Sequence, residues 1–265
     1  MIADCVTLWI GEALGPVERA CLRSVLRQGH TLALYCYGKL DGIPDGVEIR
    51  DASEILPESA IVRHRSGSVA LSSDWFRFAL QRRGLGTWLD TDNYLVAPLD
   101  MERPYLFGKQ IVDPPGVRRR QREMIAAGVL RLPPDSPMLP PLLGLFEGRT
   151  TPDWLPWPWK VRRKVASWIG RTTNVSRLPW GIAGPFAVAA LAERYGLSGY
   201  AAATEVFNPV PWYKARWILD PKIALEDVVT ERTVGVHLSN ECIKAFKNES
   251  APPGSFLERL HREGA

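Results

Sequence analysis

Short apolar runs that alternate with one amphipathic stretch restrict this chain more than any other feature. Val6 to Ile10 is apolar and ends at Gly11, and Gly15-Pro16 then introduces an amphipathic segment, Val17 to Leu26, that stops at Gly29. Thr31 to Tyr37 is β-branched, aromatic and apolar, and Gly46-Val47-Glu48-Ile49-Arg50 alternates. Strand, helix, strand at this spacing is a β-α-β unit, so an α/β fold with a mainly parallel sheet is expected. With 265 residues, 46% of them hydrophobic and 23% charged, one large α/β domain spanning 1–265 can bury a sufficient core.

The next segment carries the first candidate chemistry. Between Ser68 and Arg83, Leu71, Trp75, Phe78 and Ala79 fall at helical spacing, Ser72 or Ser73 is available as a cap, and Gly84 is a stop signal. Asp74 and Arg77 then share one helical face. Thr87-Trp88-Leu89 reads as a buried strand running into Asp90-Thr91-Asp92, and ligands of open α/β sheets bind beyond the carboxyl ends of such strands. Alternation sends both aspartates to the same side, where carboxylate oxygens suit a divalent cation and a diphosphate. Each element also has a plainer reading alone. Two acids in a solvated loop are common, and an i,i+3 ion pair contributes only a few tenths of a kcal/mol.

The pattern is longer than either element. Ser73-Asp74-Trp75-Phe76-Arg77 leads through Gly84-Leu85-Gly86 into Trp88-Leu89-Asp90-Thr91-Asp92. This resembles the Ser-Asp-x-x-Arg...Gly-Gly-x-Tyr-x-Asp-x-Asp signature of retaining glycosyltransferases whose sugar-binding region contains an Asp-x-Asp motif. That group includes initiating mannosyltransferases, α-1,4-galactosyltransferases and bacterial capsular polysaccharide synthesis proteins. Leu8-Trp9-Ile10-Gly11, Leu34-Tyr35-Cys36-Tyr37, Trp180-Gly181-Ile182-Ala183-Gly184-Pro185 and Val236-His237-Leu238-Ser239-Asn240 are similar to further segments of the group. Two positions depart from it: Leu85 separates the paired glycines, and Ser239 stands where the group has tryptophan.

The resemblance implies a GT-A-like, Rossmann-like nucleotide-binding fold with a mixed, mainly parallel sheet flanked by helices. It implies retaining transfer of a sugar from a nucleoside diphosphate sugar, with a UDP-sugar favoured, to a glycan or lipid-linked glycan in bacterial surface polysaccharide synthesis. Asp90 would contact ribose and sugar, and Asp92 would bind Mn²⁺ or Mg²⁺, with Asp90, His237 and Asn240 completing the metal shell. Asp74 and Arg77 would hold donor sugar hydroxyls and the phosphate side. Trp9 would border the base, with Ile10, Gly11, Tyr37, Thr91, Gly181 and Gly184 in the donor site. A core tryptophan at Trp9, a satisfied core histidine at His237 and a simple helix start at Gly184-Pro185 are the structural alternatives.

Residues 113–177 differ in texture. They carry Pro-Pro pairs, the basic run Arg118-Arg119-Arg120-Gln121-Arg122 and a tryptophan-rich stretch from Asp153 to Trp168, and they read as an inserted helical acceptor-side region. Four tryptophans beside four basic residues predict contact of 154–168 with the inner leaflet or a lipid-linked acceptor, or else core tryptophans beside a solvated face. Residues 247–265 read as a tail with a short solvated helix. No apolar run reaches the ~18 residues of a membrane span, so a cytoplasmic protein with peripheral inner-membrane contact is expected. A net charge of +4 is too small to indicate nucleic acid as a partner. Cys5, Cys21, Cys36 and Cys242 lack metal-ligand or disulfide spacing. Two other functions share the acidic pair: an Asp-x-Asp phosphohydrolase of the haloacid dehalogenase type, and a non-catalytic nucleotide-sugar binding protein.

Overall fold

The computed structural model describes residues 2–63, 67–114, 122–147, 154–155, 157–168, 175–178 and 181–265. His64, Asp153, Trp180 and the basic run at 118–121 therefore lie outside the described residues. Among the described residues, nine strands are formed: β1 (Cys5–Trp9), β2 (Leu32–Cys36), β3 (Val47–Asp51), β4 (Thr87–Leu89), β5 (Asn93–Leu95), β6 (Leu106–Ile111), β7 (Glu123–Arg131), β8 (Ala201–Ala202) and β9 (Gly235–His237). The helices are α1 (Pro16–Arg27), α2 (Ala70–Arg82), α3 (Leu139–Phe146), α4 (Trp157–Trp168), α5 (Pro185–Arg194), the single turns α6 (Thr204–Phe207), α7 (Leu225–Val228) and α8 (Asn240–Ile243), and α9 (Phe256–Glu263).

Seven strands make one sheet in the order β3-β2-β1-β4-β7-β6-β8. The contacts among β1, β2, β3 and β4 are parallel, β7 is antiparallel to both β4 and β6, and β6 is parallel to β8. The fold is thus α/β with a mixed, mainly parallel sheet. Strand β2 is buried throughout, as its continuous apolar sequence requires of a strand covered on both faces, whereas edge strand β3 is largely solvated. The principal core lies under Tyr35, Phe76, Phe78, Trp88, Phe107 and Leu130, joining α2 and α5 to the sheet.

Three expectations are corrected. Residues 123–131 are not part of an insertion, because β7 lies in the sheet between β4 and β6 and six of its nine residues are buried. Ser72 and Ser73 do not cap α2: the helix begins one turn earlier, and the Ser72 hydroxyl instead bonds the Val62 N–H (2.7 Å) and carbonyl (3.0 Å). The C-terminal helix is not merely solvated. Ser255 caps α9, Phe256, Leu257 and Leu260 are buried on the α1 side, and Arg23 of α1 donates to the backbone carbonyls of Glu263 and Ala265. Among the described residues, no helix is long and apolar enough to cross a membrane.

Candidate metal and ligand site

The chain leaves β1 toward β2 and β3 on one side and later returns to place β4 on the other, so the crevice between β1 and β4 is the topological switch point. Trp9 ends β1, and Asp90 follows β4 at the same end of these parallel strands. The acidic segment is tied down by β7. The Asp90 N–H donates to the Gly128 carbonyl at 2.8 Å, the Asn93 side-chain amide donates to the same carbonyl at 3.0 Å, and the Asn93 N–H closes a turn onto the Asp90 carbonyl at 3.0 Å. A Cβ at Gly128 would stand 3.2 Å from Asp90 Oδ2 and 3.6 Å from His237 Nε2, so the bare backbone of this strand position lies directly beneath the cluster.

Beyond the turn, β5 pairs antiparallel with β9 and sets His237 opposite Asn93. The Leu238 N–H donates to the Asp92 carbonyl at 2.9 Å, and the Asn240 N–H donates to Asp92 Oδ2 at 2.6 Å. Ser239 makes this possible with φ of 60°, the left-handed region that costs a non-glycine residue about 1 kcal/mol or more. Two chain segments, 148 residues apart at the Asn240 contact, are thereby fastened to one carboxylate.

Asp90, Asp92 and His237 each offer a ligand atom, all within 4.8 Å of one another. His237 Nε2 is 3.2 Å from Asp92 Oδ2 and 4.0 Å from Asp90 Oδ2. Ligands at roughly 2.1 Å around an octahedral ion stand about 3 Å apart when adjacent and about 4.2 Å apart when opposite, so the cluster can hold a metal ion. Its electrostatics point the same way. Burial opposes the charge on Asp92, but His237 and the Asn240 N–H overcome it and hold the carboxyl at about 2. Burial likewise opposes the charge on His237, yet Asp92 and Asp90 raise it to about 9. A positive charge is favoured between these acids whatever carries it.

Behind the cluster, Asp74 and Arg77 do lie on one face of α2, and both are buried. Arg77 Nη2 reaches Asp90 Oδ1 at 3.0 Å and Asp74 Oδ1 at 3.5 Å, its Nε donates to the Ser73 carbonyl at 3.3 Å, and its Nη1 donates to the Ala127 carbonyl. The guanidinium also lies 4.9 Å from the centre of the Trp88 ring, whose Nε1 donates to Asp90 Oδ1 at 2.7 Å. Arg77, only 6% exposed, is therefore a clamp on the acids, on their protein side. Asp74 keeps a carboxylate edge against the Gly181–Gly184 turn, where a Cβ on Gly184 would come within 2.6 Å of both its oxygens. Burial raises the Asp74 carboxyl to about 7, with Arg77 only partly opposing the shift.

The remaining expected residues divide. Gly181, at φ 77°, and Gly184 shape the turn that starts α5 beside Asp74. Trp9 borders the switch point, where its Nε1 is buried without a hydrogen-bond partner among the described residues and a Cβ on Gly11 would lie 2.9 Å from it. Ile10 packs on the principal core and Thr91 is half-buried in the Asp90–Asp92 turn. Tyr37 turns away from the cluster and donates to the Leu56 carbonyl at 3.0 Å. Asn240 gives Asp92 its backbone N–H, while its side-chain oxygen accepts from Lys247 at 2.6 Å. Lys247 is the neighbour that sequence reading missed. Its Nζ lies 5.8 Å from the Trp9 ring centre and pairs with buried Glu18, a position that nothing in Lys-Ala-Phe-Lys-Asn signals. His30 accepts from the Leu99 N–H and serves the core.

Compared with known proteins, the chain matches no protein-family model and no curated protein.

Proposed function

We propose that this protein is a retaining glycosyltransferase that takes a nucleoside diphosphate sugar, with UDP as the favoured carrier, and delivers the sugar to a glycan or lipid-linked glycan. The observation that carries the reading is the convergence of Asp90, Asp92 and His237 at the β1/β4 switch point. Asp92 and His237 would hold a divalent cation together with Asp90. A donor set of two carboxylates and one imidazole suits Mn²⁺ better than Mg²⁺, which prefers oxygen alone. Bound there, such a cation supplies positive charge to the two phosphates as the sugar departs.

The chain's own groups account for the rest of the site. Arg77 and the Trp88 N–H hold Asp90 in place, so that its second oxygen faces the cluster. Asp74, whose carboxyl lies against the Gly184 turn, would exchange hydrogen bonds with a sugar hydroxyl. The unpartnered Trp9 Nε1 is a donor waiting for an acceptor at the nucleotide end of the crevice. In a front-face reaction the departing phosphate takes the proton of the acceptor hydroxyl, so no protein base is required. The GT-A-like architecture is supported by the mixed sheet and its switch point. A phosphohydrolase of the haloacid dehalogenase type would carry its acids after the first strand, whereas here they follow β4.

A thermal-shift panel of UDP- and GDP-sugars, with and without Mn²⁺, tests the reading. Stabilisation by one nucleotide sugar that depends on Mn²⁺ and vanishes in Asp92→Ala is expected; the absence of any metal-dependent stabilisation would sink it. Slow hydrolysis of the donor without acceptor separates the enzyme from a binding protein.

A further inference from the structure

Helix α4 carries an apolar stripe that no described residue covers. Trp157 is 74% exposed, Val161 39%, Val165 53% and Trp168 89%. At 100° per residue these four side chains fall within an arc of about 80°, so they form one face rather than scattered surface positions. Lys160 and Lys164 flank that arc on one side and Arg162 flanks it on the other, and 157–168 contains no acidic residue. The opposite side of the helix meets the protein. Trp159 is half-buried there against the cluster of Leu71, Leu155, Ile182 and Ala183, and Trp154 Nε1 donates to the Ile182 carbonyl at 3.0 Å.

Two tryptophans thus anchor the segment, and two others, one at each end of α4, face outward. Soluble monomers rarely leave contiguous large apolar side chains in water. Tryptophan is favoured at the membrane–water boundary, and Lys and Arg on the shoulders of an apolar stripe can extend their charges to lipid phosphates while their stems remain in the apolar layer. A second copy of this chain fits the surface poorly, because pairing the two stripes would bring Lys164 and Arg162 against like charges. We infer that α4 is an interfacial helix that lies in the plane of a bilayer containing anionic lipid. Ile182 and Ala183, between the two glycines of the turn at Asp74, belong to the cluster that supports α4, so the helix packs on the segment that borders Asp74. That a lipid-linked acceptor arrives along this surface rests on the transferase reading; the membrane contact itself does not.

The test is co-sedimentation of the full chain with vesicles of phosphatidylcholine alone, or of equal parts phosphatidylcholine and phosphatidylglycerol. Binding to the mixed vesicles at least about tenfold tighter than to the neutral ones, and weakening with salt, is expected from roughly 1 kcal/mol per surface cation. The Trp157→Ser/Trp168→Ser and Lys160→Ser/Arg162→Ser/Lys164→Ser variants should each lose at least about tenfold in binding. Their thermal midpoints should stay near that of the parent. Brominated acyl chains should quench tryptophan fluorescence more in the parent than in Trp157→Ser/Trp168→Ser. Equal binding to both vesicle types, or binding unaffected by either variant, overturns the inference. So does the absence of vesicle binding, including the case in which sedimentation equilibrium reveals a dimer that Trp157→Ser/Trp168→Ser dissociates.

Discussion

Asp74→Asn should stabilise this protein at alkaline pH while impairing its function. The Asp74 carboxyl is buried, and burial lifts it from its ordinary range to about 7 even though Arg77 lies 3.5 Å away. A carboxyl raised in the folded state destabilises the fold once ionised. The penalty is absent below the unfolded value near 4, grows as pH rises, and is complete above about 7. A rise from near 4 to about 7 corresponds to a penalty of about 4 kcal/mol at most. Asparagine keeps the shape and removes the charge, and Arg77 retains Asp90 at 3.0 Å and the Ala127 carbonyl as partners. The stability of Asp74→Asn relative to the parent should therefore increase by about 2–3 kcal/mol between pH 5 and pH 8, or roughly 5–10 °C in Tm for a domain of this size. Urea and thermal unfolding in the presence of chelator, at both pH values, measure the difference. If Asp74→Asn is the less stable protein at pH 8, or if the difference does not change with pH, then Arg77 rather than burial governs Asp74 and the reasoning fails.

Other outcomes follow from the same geometry. If the protein is the proposed transferase, Asp92→Ala abolishes cation-dependent stabilisation and lowers sugar transfer at least about a hundredfold, read by Mn²⁺ titration and a transfer assay. Because His237 is raised to about 9 and must lose its proton to act as a ligand, Mn²⁺ affinity should rise by up to about tenfold per pH unit from 6.5 to 8.5; a flat profile by calorimetry would exclude His237 from the shell. Gly184→Ala would force a methyl group into the Asp74 carboxylate and should cost about 1–3 kcal/mol of stability together with donor binding. Lys247→Met should leave Glu18 buried and unpaired, lowering stability by about 3–5 kcal/mol in equilibrium unfolding, with Glu18→Gln/Lys247→Met recovering part of the loss.

The first half of the fold is legible in sequence because its elements are locally consistent. The runs at β1, β2 and β4 are apolar apart from a buried threonine in β1 and another in β4, α1 starts at a proline and α2 has a periodic face, so local preference and tertiary position agree. Strand β7 was hidden by its composition. Met-Ile-Ala-Ala-Gly-Val-Leu has a glycine and two alanines where strand formers would signal a sheet, and Gly128 lies close beneath the side chains of Asp90 and His237. Helix α9 was concealed by its charge, since three buried apolar residues suffice to dock it while most of its other residues are ionic. At the site, residue types and order were readable, but commitments were not. That Arg77 spends its donors on Ser73, Ala127 and the two acids, and Asn240 its side-chain oxygen on Lys247, depends on contacts that span up to 50 positions. No periodicity reports such pairings.

Charge balance accounts for the protons this cluster carries and for the way a metal ion could replace them. Asp74, Asp90 and Asp92 carry three negative charges when ionised, while Arg77 and a protonated His237 supply two positive ones. Near neutral pH the deficit is met by the proton that burial keeps on part of Asp74. A divalent cation between Asp90, Asp92 and a neutral His237 would reach the same balance with Asp74 fully ionised. The two arrangements differ by two protons and little else, because Arg77, Trp88, Gly128 and Asn240 hold the acids in both. The buried arginine has its place in this exchange. Without a fixed positive charge on the protein side, neither arrangement would be neutral, and Asp90, which burial pushes toward its protonated form and Arg77 opposes, is the acid most affected.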